Sequence, residues 1–91
     1  MAHVDVSGAN FTYYRNKAER DYDAYVSVQA RITQMERKAA LDHNGNTKLA
    51  HIALTGGASS VGNIDYQDAC KDRARYITMA QLHATMALMY K

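Results

Sequence analysis

A single apolar repeat of about thirty residues constrains this chain more than any other feature of its sequence. Apolar or small residues recur there at steps of three and four, as on one face of an α-helix. They are Phe11, Tyr14, Ala18, Tyr22, Tyr25, Val28, Ile32, Met35 and Ala39. No proline interrupts the repeat. It predicts one long helix over residues 11–42, with Asn10 as N-cap and a left-handed Gly45 at its end.

The apolar run TKLAHIALT, which follows this helix, is short enough to form either a helix or a strand. Leu49, Ile52 and Ala53 share one helical face, and Thr47 is able to cap it. The chain offers no second strand for pairing. We therefore expect a helix of two turns, followed by a flexible glycine-rich link.

A second long helix is predicted over residues 63–90, with Asn63 as its N-cap. Its second half is unusual, because no Asp, Glu, Lys or Arg lies between Arg75 and Lys91. Two apolar faces follow from the spacing there. The first consists of Ile77, Ala80, Ala84 and Leu88, and the second of Met79, Leu82, Met86 and Met89.

These patterns predict an all-α fold, a hairpin of two long antiparallel helices with a short helix and a link between them. Residues 11–91 form its single helical domain, and residues 1–10 are expected to be a flexible arm. The predicted intramolecular core is Tyr14, Tyr22, Tyr25, Val28, Ile32, Met35, Ile77, Ala80, Ala84 and Leu88. The second apolar face lies outside this core, so something else has to shield it from water. We expect this shield to be another subunit, so that Met79, Leu82, Met86 and Met89 form a subunit interface.

A lipid bilayer or the chain itself could also cover the second apolar face. A membrane span would need about 20 apolar residues, whereas the uncharged stretch covers only residues 76–90 and contains Gln81 and His83. A span is therefore disfavoured. Alternatively, the short middle helix folds over this face, and the chain is a compact three-helix monomer.

The segment LTGGASSVGN resembles the cofactor loop of short-chain dehydrogenases, Thr-Gly-x-x-x-Gly-x-Gly. Thr55, Gly56 and Gly62 match that pattern, but Ser60 stands where the middle glycine belongs. Such a loop must also follow a strand of a parallel sheet and open a helix. With fewer than about thirty residues remaining, no such sheet can follow. The glycines are interpreted as a hinge, and no nucleotide cofactor is expected.

Other chemistry is equally sparse in the sequence. The four histidines, His3, His43, His51 and His83, lack the spacing of a metal site and are interpreted as loop or surface residues. Cys70 is the sole cysteine and is expected to pack as a small apolar residue. The tyrosines of the first helix could stack on bases, but their place in the apolar repeat favours the core. No catalytic, cofactor or metal residue is predicted, and we expect no enzyme activity.

The charge pattern limits the possible partners of the protein, and the N-terminal residues limit the cell compartments in which it is expected. The net charge is +2, and acidic and basic residues are interleaved without a basic block, so nucleic acid is not expected as the main partner. The first residues lack the basic and apolar regions of a cleavable signal peptide. The protein is expected to remain in the cytoplasm or to leave by a dedicated secretion system.

The last third of the chain resembles the C-terminal helix of flagellar rod subunits and, more distantly, of type III secretion rod and needle subunits. The matching positions are Gly62, Asn63, Asp65, Ala69, Tyr76, Gln81 and Leu82. The resemblance implies a helix that faces the lumen of a helical tube, with neighbouring copies covering its sides.

The leading functional hypothesis is a non-catalytic structural protein that self-associates as a subunit of a filament, tube or other helical oligomer. The alternative is a small helical adaptor or chaperone that binds one protein partner. A helical regulator that binds nucleic acid ranks third because of the even charge pattern.

Overall fold

The computed structural model describes residues 6–57 and 61–90. It contains three helices, α1 (Val6–Asp42), α2 (Thr47–Thr55) and α3 (Ile64–Met89). The two long helices pack against each other in antiparallel directions, so the predicted all-α helical hairpin is confirmed. The molecule is a rod that measures 69 × 22 × 15 Å.

Helix α1 begins at Val6, earlier than the predicted start at residue 11. The predicted N-cap Asn10 is wrong, because this residue lies inside the helix. Residues 6–10, assigned to the arm by the sequence, are helical, and the rest of the predicted arm lies outside the described residues. The end of α1 is as expected. Gly45 is left-handed with φ 78°, and its N–H donates to the carbonyl of Ala40 at 2.8 Å.

The helical interpretation of TKLAHIALT is confirmed, but its cap and its buried face differ from the prediction. Asn46 rather than Thr47 caps α2, since its side chain accepts a hydrogen bond from the N–H of Leu49. The buried side chains of α2 are Ala50 and Leu54. Leu49 is 49% exposed, although the sequence pattern predicts it on the inner face. In so short a helix, the period alone does not determine which side meets the hairpin.

Helix α3 begins as predicted. The side chain of Asn63 accepts a hydrogen bond from the N–H of Tyr66 at 3.1 Å, which satisfies one of the unpaired donors of the first turn.

The two long helices meet along one line of residues on each, which we call the seam. Seam positions follow steps of three and four on both helices, as in a left-handed coiled coil. On α1 they are Tyr14, Ala18, Asp21, Tyr25, Val28, Ile32, Met35 and Ala39, and on α3 they are Tyr66, Ala69, Arg73, Tyr76, Ala80, His83, Ala87 and Tyr90, all buried or half-buried.

Three predicted core residues are wrong in this arrangement. Tyr22 is 53% exposed and Leu88 is 65% exposed, and Ala84 is exposed as well. The predicted face from Ile77 to Leu88 advances by steps of three, four and four, so it drifts around α3 and away from the seam. Ala87, 4% exposed, takes the inner position that the prediction gave to its neighbours. The other predicted core positions are buried or half-buried.

The largest buried cluster lies at one end of the rod, which we call the closed end. It consists of Ile32, Ala39, Ala50, Leu54, Tyr66 and Ala69, with Val28, Met35 and Cys70 packed against them. All three helices contribute, and α2 closes this end. Cys70 packs as a small apolar residue, as expected.

The opposite end of the rod, residues 11–25 of α1 with residues 76–90 of α3, we call the open end. Helix α2 is about 14 Å long at 1.5 Å per residue, whereas the rod is 69 Å long. Since α2 packs at the closed end, it cannot also cover the open end. The open end is therefore a two-helix structure with sides that no third helix covers.

Candidate interaction surface

A polar pair and a stack of rings hold the seam at the open end. Nδ1 of His83 donates to Oδ2 of Asp21 at 2.6 Å, and the two side chains are 12% and 24% exposed. The ring of Tyr14 stacks on His83 at 6.1 Å and on Tyr90 at 5.8 Å between centroids. The interpretation of His83 as a surface residue is therefore wrong. His83 lies three residues after Ala80 and four before Ala87, which are both seam positions. This spacing could have indicated that His83 is on the seam, but a search restricted to apolar residues passes over a histidine.

Polar contacts also cross the hairpin in its middle and at its closed end. Nη1 of Arg73 donates to Oε1 of Gln29 at 2.9 Å, and the Tyr66 hydroxyl donates to Oε2 of Glu36 at 3.2 Å. Burial, and then the neighbouring side chains of Cys70 and Glu36, raise the pKa of Tyr66 from 10.0 to about 12. The Arg73–Gln29 contact lies between the buried cluster of the closed end and the surface of the open end, whereas the Tyr66–Glu36 contact belongs to the closed end.

An apolar groove of about 530 Å³ runs between α1 and α3 at the open end. Small residues of α3 form its floor, and larger side chains stand along its walls. Its apolar lining is Phe11, Ala18, Tyr22, Ile77, Ala80, Ala84, Ala87 and Leu88, and Arg15, Glu19, Asp23 and Gln81 complete the lining. The exposed Tyr22 and Leu88, which the sequence predicts in the core, are thus walls of this groove.

The predicted subunit interface, Met79, Leu82, Met86 and Met89, forms a separate strip on α3 that we call the ridge. Leu82 is 49% exposed and Met89 is 76% exposed, while Met79 and Met86 are half-buried. None of the four lines the groove. Helix α3 therefore carries two distinct apolar surfaces, as its two-faced pattern indicated. Contact of the ridge with another subunit stays a prediction.

Hydrogen bonds anchor the parts of the glycine-rich link that the structure describes. The N–H of Asn63 donates to the carbonyl of Leu54 at 3.0 Å, and Nε2 of Gln67 donates to the carbonyl of Val61 at 2.7 Å. Gly62 has φ 73°, and a Cβ atom there would come within 2.4 Å of the Gly56 nitrogen. The run before the glycines is a helix, so the strand of a dehydrogenase loop is missing there. Residues 58–60, part of the predicted link, lie outside the described residues.

In the described ranges, 6–57 and 61–90, no three His, Cys, Asp or Glu side chains are placed to share a metal ion. None of the helices in these ranges combines the length and the hydropathy that a bilayer span requires.

No family model, curated protein or solved structure matches the chain. The two apolar surfaces of the open end, the groove and the ridge, are therefore the features from which a function can be argued.

Proposed function

We propose that this protein is a non-catalytic structural subunit that associates with copies of itself through the open end of its hairpin. The observation that carries the proposal is the exposure of large apolar side chains on the second half of α3. Leu82, Leu88 and Met89 are 49%, 65% and 76% exposed. Burying a side chain of this size contributes about 1.5–3 kcal/mol. Large apolar side chains exposed together, as on the ridge and along the groove, mark interaction sites on small proteins.

The proposed assembly is a filament, tube or other helical oligomer, of the kind formed by flagellar rod or secretion needle subunits. The resemblance of residues 62–89 to the C-terminal helix of those subunits supports this form. So does the rod shape of the hairpin, 69 Å long and 22 Å wide, which allows copies to pack side by side. Without an Asp, Glu, Lys or Arg between Arg75 and Lys91, this part of α3 resists burial less than a charged helix would.

Sedimentation velocity of the purified chain across a hundredfold range of concentration tests the proposal. We expect the mean sedimentation coefficient to rise with concentration, and Leu88→Ser to shift that rise to higher concentration. Leu41→Ser is the matched control, since Leu41 is 79% exposed but lies at the closed end. A parent chain that stays monomeric throughout would refute the proposal. If Leu41→Ser lost association and Leu88→Ser kept it, the contact would lie at the closed end, against the proposal.

A second candidate function is an adaptor that receives one helix of a different protein in the groove. The groove favours it, because its α3 wall runs from Ile77 to Leu88, about 16 Å at 1.5 Å per residue, and three turns of a single helix would fill it. An adaptor forms a small complex of fixed stoichiometry, whereas a filament subunit grows without a fixed limit. The concentration series separates the two.

A further inference from the structure

The two apolar surfaces of the open end lie on nearly opposite sides of one helix. At 100° per residue, the centre of the ridge is about 160° around α3 from the centre of the groove wall formed by Ile77, Ala84 and Leu88. A contact between two identical surfaces related by a two-fold axis covers only one surface of each copy. Covering both with a single kind of contact requires the ridge of one copy to meet the groove of another.

The dimensions of the ridge and the groove match. The ridge spans ten residue steps from Met79 to Met89, about 15 Å, and the groove wall spans eleven steps from Ile77 to Leu88, about 16 Å. The floor of the groove is formed by the buried alanines of its lining, Ala80 and Ala87. Small side chains let a second helix approach closely, and the flexible methionines of the ridge can adapt to the walls.

The charges around both surfaces select one orientation. Arg75 lies one turn before the first residue of the ridge; its guanidinium pairs with Asp72 at 3.3 Å, and its side chain is still 64% exposed. Glu19 and Asp23 line the groove on the α1 side, toward the middle of the rod, and Arg15 lines it farther toward the open end. A ridge helix parallel to the receiving α3 places Arg75 toward the acidic pair. Its C-terminal carbonyls then lie toward Arg15, which the helix dipole favours. The reverse orientation brings Arg75 toward Arg15, a repulsive contact.

We infer that the ridge of one copy packs into the groove of the next copy, with the two α3 helices parallel. This inference rests on the proposed function and specifies the surfaces of the self-association. The contact is head-to-tail, so an open assembly of any length still offers one empty groove at one end and one uncovered ridge at the other. Such a contact grows into an open filament, or into a ring if its rotation closes.

Mixing two blocked variants tests the inference. Leu82→Lys places a charge on the ridge and leaves the groove intact, and Ala84→Lys fills the groove and leaves the ridge intact. Both positions are exposed, so we expect the hairpin to keep its helical content by circular dichroism. Each variant alone is expected to stay monomeric at concentrations where the parent grows. An equimolar mixture is expected to form dimers, because one intact ridge meets one intact groove, and the sedimenting mass should double and grow no further.

Three results would overturn the inference. A mixture that stays monomeric while the parent assembles means that an intact ridge and an intact groove do not pair across copies, and the proposed function survives. A single variant that assembles like the parent excludes its surface from the contact. A parent that never assembles removes the proposed function as well. If either variant loses helical content, Met89→Lys on the ridge and Leu88→Lys at the groove replace them, since both residues are mostly exposed.

The orientation has its own test in the same assay. Arg75→Glu is expected to weaken assembly of the parent several-fold, the size expected for exposed charge pairs, and adding Glu19→Lys with Asp23→Lys should restore it by reversing both sides of the contact. Failure of the triple variant to recover any assembly would exclude the parallel orientation.

Discussion

The seam between the two long helices runs through both the closed end and the open end of the rod, but different side chains pack around it at each end. At the closed end, α2 adds a third side, and large side chains such as Ile32, 0% exposed, are fully buried. At the open end, the buried seam residues of α3 are only the small Ala80 and Ala87. The larger side chains there stay at the surface. A hairpin of two helices buries one face of each, so the groove and the ridge of α3 both stay uncovered at the open end.

The means of holding the helices together also differ between the ends. The closed end depends on aliphatic packing, which is non-directional and contributes in proportion to buried area. The open end depends on the Asp21–His83 pair and on the stack of Tyr14 between His83 and Tyr90, which fix the distance and register of the helices. The open end thus has a defined geometry without a large core of its own.

The largest contrast is expected from the same substitution made at both ends. Ile32→Ala should lower the free energy of unfolding by about 2–5 kcal/mol, since it leaves a cavity in the closed end. Ile77→Ala should cost about 1 kcal/mol, because Ile77 is half-buried at the wall of an open groove. Urea denaturation of both variants measures the difference. Arg31→Ala, at an exposed position, is the control and should cost less than about 0.5 kcal/mol. Equal costs at both ends would show that the open end has a full core.

The next largest change in stability is expected from the Asp21–His83 pair. Asp21→Ala leaves the mostly buried His83 ring without its acceptor, so we expect a loss of about 1–3 kcal/mol in the free energy of unfolding. Asp23→Ala is the matched control, since Asp23 is exposed and lies two residues further on; it should change stability by less than about 0.5 kcal/mol. Similar values for the two variants in urea denaturation would mean that the pair does not hold the open end.

The last effect concerns pH at the closed end and shows only in alkaline solution. The pKa of Tyr66 is raised to about 12 in the folded chain, whereas a tyrosine in the unfolded chain titrates near 10. Between these values the unfolded chain has released the proton and the folded chain still holds it. The stabilisation is therefore complete below pH 10 and is lost as the pH rises toward 12. Chemical denaturation across this range should show a steeper loss for the parent than for Tyr66→Phe. Parallel curves would contradict the burial of the hydroxyl.

How far the sequence predicted the molecule can be judged at particular residues. The apolar repeat predicted α1 and the burial of Ile32, and Asn63 marked the start of α3. Asp21 and His83 were missed because a search for apolar residues skips polar seam positions. Tyr22 and Leu88 were placed in the core because their steps fit a straight helix of 3.6 residues per turn, whereas the packed helices follow a period of 3.5. The groove depends on this small drift, so no local pattern could predict it.

Amide hydrogen exchange of the parent chain at low and high concentration tests the central claim most directly. If the open end is the contact surface, protection of residues 11–23 and 77–89 should rise with concentration. The protection of residues 47–55 and 64–70 at the closed end should not change. A rise confined to the closed end, or protection that does not depend on concentration anywhere, would contradict the assignment of self-association to the open end.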